Sequence, residues 1–349
     1  MTRKRLLALV AVTYLILLLP VSFLATGYAQ PAVKRVELKV NHMFPAESAQ
    51  EKHIARWAEK MKAATNGAIT CRMFPVGTLS SPMEIYPGII KGVADIGMGM
   101  RYEPVGREFS EYLVTFLGEV KDTQTAAKIQ DDIWDKFKEW REEWKDCKVL
   151  WMAVVTPTQV TTARKPVRTL NDMKGLQLRT PPTGFTSELV KMLGATPVAV
   201  SISETYTALE KGIVDGQVSS IEALKSFRIA EVTRYTTIAD LFSAPGVYVV
   251  MNQKTYENLS PNFQKAIDDS LKWGKSDWQQ MWIDEDKVAE EFAKSMGHEF
   301  ITLDPAEGNR LETIKRQAND GFAVKVDGKG LPGTQLLKFI RERIAYYGK

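Results

Sequence analysis

Apolar positions along the chain switch repeatedly between a period of two and a period near three and a half, so it reads as alternating strands and helices. Val36 to Val40 predicts a strand. Ser48 to Asn66 predicts an amphipathic helix with Ile54, Trp57, Met61 and Ala64 inward, and Gly67 supplies its C-terminal stop. Ala68 to Phe74 reads as a second strand. Ser81-Pro82-Met83-Glu84 has the spacing of a capping box with proline at the first helical position, and Pro87 should kink or shorten the helix that follows. Asp95 to Met98 predicts a short buried strand. Thr123 to Lys145 predicts one long helix whose Ile133, Phe137, Trp140 and Trp144 share a face, which is a core stripe.

The second half repeats the scheme. "GLQLRTPP" gives a strand, Gly184 to Leu193 a helix, "TPVAV" a strand and Glu204 to Lys211 a helix. Two short segments correspond, "KGVADIG" (Lys91 to Gly97) and "KGIVDGQ" (Lys211 to Gln217). Each sets a lysine and a glycine at a helix end and an aspartate at the start of what comes next. With strand-helix-strand context around both, the pair argues for two similarly built α/β lobes. Thr156 to Val167 and Leu241 to Asn252 are β-rich and read as crossings between the lobes. Pro261 to about Met296 is one helical pattern, long enough at about 1.5 Å per residue to span both lobes. Thr334 to Tyr347 predicts a last amphipathic helix.

The first residues change the picture of charge and compartment. Arg3, Lys4 and Arg5 precede an apolar run from Leu6 to Leu19 and a small-x-small ending at Gly27-Tyr28-Ala29, the layout of a signal peptide over residues 1–29, cleaved after Ala29. The run is short for a bilayer span of about 18 to 20 residues, although an uncleaved anchor reaching through Phe23 and Leu24 is the alternative. Removing it leaves 320 residues with 43 basic against 42 acidic side chains, a formal charge of +1. A near-neutral chain offers no electrostatic reason to expect nucleic acid. Its length suits two domains. Cys71 and Cys147 remain, in a compartment that permits disulfides; the sequence leaves their pairing open.

Motifs for enzyme chemistry are scarce. There is no G-x-S-x-G elbow, no H-E-x-x-H, no phosphate-binding G-x-x-x-x-G-K-[ST], and no Cys/His spacing for zinc. The chemistry calls for no cofactor and no metal. His42, His53 and His298 are scattered, and His53 reads as a surface or boundary residue. Gly328 to Gly333 matches G-x-G-x-x-G, but only sixteen residues follow, too few for a dinucleotide fold, so it reads as a loop. One residue type in one place does suggest binding. In "MKGLQLRTPP", Leu176 and Leu178 share one strand face while Gln177 and Arg179 share the other, and Pro181 and Pro182 end the strand. Arg179 therefore sits at a strand's C-terminal tip, where open α/β sheets bind ligands. Its guanidinium matches a carboxylate with two parallel hydrogen bonds.

"TLNDMKGLQLRTPP", "LGATPVAVSISETYTALEKGIVDGQ" and, more loosely, "NGAITCRMFPVGTLSSPMEIYPGIIKGVADIGMG" resemble the solute-binding proteins of tripartite ATP-independent periplasmic (TRAP) transporters, of the C4-dicarboxylate-binding type. The likeness covers nearly all of the chain after residue 29. It implies an α/β, two-lobed periplasmic binding fold, each lobe a mixed sheet flanked by helices, with a long helix across both. The lobes would comprise residues 32–156 plus 245–285 and residues 157–244 plus 286–349. It implies a periplasmic receptor, not an enzyme, that holds a small organic acid between the lobes and passes it, as a monomer, to a small and a large membrane subunit.

The resemblance also assigns roles. Arg179 would bridge the ligand's carboxylate. Gln159 stands where many members have a second arginine, and Arg164 is too far along the strand to replace it. Many members follow "DGQ" with an acid and asparagine; here Val218, Ser219 and Ser220 stand instead. One charge fewer and smaller side chains favour a monocarboxylate or a bulkier, less polar acid. Further pocket candidates are Met43 and Phe44, then Met98, Met100 and Tyr102, then Ile202 and Tyr206, with Ser219 from the "DGQ" segment. Two other readings stand beside this one: a receptor of another transport class or a sensor domain, and an exported enzyme using Asp95, Asp215 or Glu204.

Overall fold

The alternation of strands and helices carries through into a computed structural model, which describes residues 35–101, 106–120, 122–181, 185–241 and 246–348. The expected signal segment and Tyr102 lie outside the described residues. Among the described residues no helix is long and apolar enough to cross a membrane.

The chain begins β1 (Val36–His42), α1 (Ala49–Ala64), β2 (Ile69–Phe74), α2 (Ile85–Ile90) and β3 (Ile96–Met100). Three helices, α3 (Glu108–Phe116), α4 (Thr123–Lys136) and α5 (Lys138–Glu143), lead to β4 (Cys147–Val154). Then come β5 (Gln159–Thr162), β6 (Gln177–Thr180), α6 (Thr186–Met192), β7 (Thr196–Ala199), α7 (Thr205–Glu210), β8 (Gly216–Ser219), α8 (Ala223–Ser226) and β9 (Tyr235–Ile238). The remainder is β10 (Gly246–Asn252), α9 (Gln253–Glu257), α10 (Pro261–Ser295), β11 (Glu299–Thr302), α11 (Pro305–Asp327) and α12 (Gly333–Tyr347).

These strands form two mixed sheets, in the orders β2-β1-β3-β10-β4 and β11-β9-β5-β8-β6-β7. In the first, β1 pairs in parallel with β2 and β3; in the second, β6 does so with β7 and β8. One crossing strand runs antiparallel through each. β5 enters the second sheet between β8 and β9, and β10 returns to the first between β3 and β4. The helix α10, 35 residues and about 52 Å long, packs against α1, β4 and α8, and so binds elements of both sheets.

The two short repeats occupy equivalent places. Gly92 and Gly212 end α2 and α7 in left-handed conformations (φ 78° and 67°), which glycine adopts without a Cβ penalty. Asp95 then returns to β1, where its Oδ2 accepts the Lys39 N–H at 2.8 Å, and Asp215 accepts the Gln177 N–H of β6 at the same distance. Both carboxylates thus serve as strand clamps.

Several expectations are corrected. The helix foreseen over Thr123 to Lys145 breaks at Phe137, whose ψ of 103° is extended. The break re-aims α5 so that the buried Trp140 and Trp144 both donate to Ser110 Oγ, at 3.0 and 2.9 Å. Ala64 is exposed, and the last inward position belongs to Thr65. His53 is fully buried instead of lying at the surface: it stacks on Trp273, meets Trp151 and Trp278 edge-on, and shares a 2.8 Å hydrogen bond with Asp277. The pairing of Cys71 and Cys147, which the sequence left open, resolves to free thiols, because β2 and β4 are opposite edges of one sheet. The pattern did not reveal α3 or α11, and α12 packs on α3 and α4, beside the first sheet.

Candidate functional site

Parallel strands point their C-terminal ends the same way, so the loops that follow them converge. Met43 and Phe44 follow β1, Met100 ends β3, Pro181 follows β6, and Ser219 and Ser220 close β8; together with Arg179 they line one cavity. Its empty space is about 630 Å³, open solvent included. Val155 and Thr158, from the first crossing, and Trp282, from α10, complete its wall.

Arg179 is 3% exposed, and its Nε donates to the Val200 carbonyl at 2.8 Å. That bond fixes the root of the guanidinium at the β6–β7 edge. The wall shared by Met43, Phe44, Met100, Ile202, Val218 and Trp282 is apolar. Phe44 lies 6.0 Å from Trp278 and 5.9 Å from Trp282 between ring centroids, so the rings support one another in the geometry aromatic pairs prefer. A buried cation beside such a wall favours an anion with an apolar body. Charge holds one end, and area removed from water holds the other.

Of the expected residues, Arg179, Met43, Phe44, Met100, Ile202 and Ser219 come together here. Gln159, Met98 and Tyr206 do not line the cavity. Gln159 is consumed locally: its Oε1 accepts the N–H groups of Ala239 and Asp240, and its Nε2 donates to Asp240 Oδ1 at 2.7 Å. Met98 is wholly enclosed within the sheet, between β1 and β10. The Tyr206 hydroxyl turns to Glu231, at 3.3 Å. Asp95, Asp215 and Glu204, the acids an enzyme would have used, are absent from the lining as well. Among the described residues, no group of three or more His, Cys, Asp or Glu is placed to hold a metal.

Four polar lining residues escaped the sequence reading: Thr158, Thr186, Glu222 and Trp282. Trp282 fits the apolar stripe of α10, and Thr158 sits in a crossing, so neither carries a signal of its own. Glu222 is an acid in "SSIEAL" that the fold buries to 2% exposure at the start of α8. Burial pushes its carboxyl up from the usual range. Asp286 of α10 accepts the Glu222 N–H at 2.8 Å, and burial raises Asp286 to about 7. Two carboxyls raised by burial therefore sit together where Glu222 meets the cavity.

Comparison with known protein families matches residues 40–323 to the family described as bacterial extracellular solute-binding protein, family 7. A relative in Escherichia coli, the 2,3-diketo-L-gulonate-binding periplasmic protein, is 27% identical over 303 residues, 86% of this chain and 90% of that protein. A crystal structure of a marine metagenome TRAP solute-binding protein specific for aromatic acids, in complex with metahydroxyphenylacetate, superposes with a TM-score of 0.83 at 24% identity. It covers 90% of this chain and 100% of that one. A TRAP periplasmic solute-binding protein from Bordetella bronchiseptica with bound mandelate superposes with a TM-score of 0.79 at 23% identity, covering 89% and 99%.

Proposed function

The chain belongs to family 7 of the bacterial extracellular solute-binding proteins, the TRAP receptor family its sequence resembles, and from that premise we propose that the cavity around Arg179 captures a small organic monocarboxylate with an apolar body. The observation that carries this reading is a single buried guanidinium at a strand tip facing the same cavity as an aromatic and thioether wall. The carboxylate pairs with Arg179 through two hydrogen bonds, and the apolar body lies against Phe44, Met100 and Trp282. The receptor leaves its ligand chemically unchanged.

The family's extracytoplasmic setting and its work with TRAP membrane components supply the rest of the proposal. The export segment is removed after Ala29. A monomer then carries the acid to a small and a large membrane subunit. The lobes follow the two sheets and close on the ligand by bending at the crossings. Related proteins take differing acids, a diketo sugar acid in the Escherichia coli relative and aromatic acids in the metagenome protein, so it is this chain's own lining that selects the monocarboxylate class.

The test is calorimetric titration of the purified protein with aromatic and aliphatic mono- and dicarboxylates, after native mass spectrometry has shown which acid copurifies. Losing one side of a desolvated charge pair costs about 2 to 5 kcal/mol, so Arg179→Ala should weaken binding at least about tenfold while circular dichroism stays unchanged. Equal affinity of variant and parent for the same acid sinks the assignment.

A further inference from the structure

We propose that Glu222 is a specificity-determining residue which, with Thr158 and Trp282, reads a hydroxyl group on the bound carboxylate; the proposal rests on the receptor reading of the same cavity. Among the described residues, three hydrogen-bonding atoms on these lining residues are buried without a hydrogen-bond partner: Thr158 Oγ1, Glu222 Oε1 and Trp282 Nε1. Native structures rarely leave such atoms unpaired, and each costs free energy while dry. They come from three separate elements, the first crossing, the start of α8 and the middle of α10, so no local motif explains why all three border one space.

Their chemistry selects the group that would satisfy them. The indole N–H only donates, the threonine hydroxyl does both, and a carboxyl accepts and, when protonated, donates. A ligand hydroxyl both donates and accepts, so it can serve donor and acceptor at once. A ligand ammonium could not take the indole hydrogen bond. A second ligand carboxylate would find no further cation, because Arg179 is the only basic residue among the described lining. Around Glu222, Ser226 and Gln50 reach the carboxyl as hydrogen-bond partners and Glu285 and Lys225 add opposing charges, while burial raises the carboxyl from its usual range. The ligand class is thus a hydroxylated monocarboxylate: the acid at Arg179, an apolar body, and a hydroxyl.

The experiment measures, by calorimetry on the full purified protein, affinities for benzoate and phenylacetate and for each of their ortho, meta and para hydroxy isomers. The parent should prefer one hydroxy isomer to its unsubstituted acid by about tenfold or more. Glu222→Met keeps the length of the side chain and removes the carboxyl; it should bring that preference within about threefold by weakening the hydroxy acid far more than the unsubstituted one. Trp282→Phe removes the N–H while keeping a ring, and should narrow the preference in the same direction, which keeps the proposal falsifiable if the first variant folds poorly. A parent that binds acids through Arg179 with no hydroxyl preference overturns the inference alone, as does a Glu222→Met protein that keeps the preference or weakens both acids equally. A parent that binds none of these acids, or any other carboxylate, overturns the receptor reading and this inference with it.

Discussion

Asp286, on the long helix, accepts the backbone N–H of Glu222 at 2.8 Å and so ties α10 to the start of α8 at the cavity wall. By surface area Asp286 is only half-buried, yet protein packs closely around its carboxyl and raises it to about 7. A raised folded-state pKa stabilises the fold fully below the unfolded value near 4 and ceases to do so as pH rises through 7. The melting temperature should therefore fall between pH 5 and pH 8 by more in the parent than in Asp286→Asn, whose amide oxygen still accepts the N–H. Scanning calorimetry at half-unit steps checks this, and parallel curves for the two proteins would count against it.

Acid acts through other groups. Burial lowers both His53 and His298 to about 4, below the ordinary histidine value near 6.5. Stability from a neutral buried histidine is present above 6.5 and lost as pH falls through 4. His53→Phe retains the stacking on Trp273 and gives up the bond to Asp277. It should lower stability at pH 7 by about 1 to 3 kcal/mol, yet flatten the decline between pH 6 and pH 4. Urea unfolding at several pH values reads both effects; a variant with an equally steep acid limb would assign the titration elsewhere.

The strand clamps make a structural control. Asp215 holds the N–H of Gln177 only two residues from Arg179, although at the opposite end of β6 from the cavity. Asp215→Ala should destabilise by about 1 to 2 kcal/mol through the lost charge-assisted bond and leave ligand affinity within about twofold. Asp95→Ala should behave alike, since its carboxylate does the same for Lys39 and also accepts the Thr255 hydroxyl. A large loss of affinity in either variant would move these acids into the site.

What the sequence disclosed depended on how local its cause was. Alternation, capping boxes and the paired Lys-Gly segments are read over a few residues, and β1, β2, β3, β6, β7, α1, α2 and α7 followed from them, whereas β9 and β11 carried no such local signal. Arg179 was legible because prolines mark the end of its strand. His53 and Glu222 were not, because their burial comes from α10 packing over them from far along the chain. Gln159 was misplaced for the same reason in reverse: its position in the crossing was read, but the turn after β9 that engages its amide was not visible locally. The break at Phe137 similarly serves a tertiary contact with Ser110.

Arg179→Lys separates charge from geometry. Lysine keeps the positive charge on a flexible stem but lacks the planar fork, and it has no Nε–H fixed against the Val200 carbonyl. The ligand carboxylate would keep a Coulomb partner and lose its second parallel hydrogen bond. Affinity should fall by about tenfold, between parent and Arg179→Ala, since a charge-assisted hydrogen bond is worth about 1.5 to 3 kcal/mol. The salt dependence should also rise, because a mobile ammonium is screened more readily than an enclosed guanidinium. Titrations at low and high ionic strength distinguish the cases: if lysine matches arginine at both, charge alone holds the acid, and the buried fork is not what selects it.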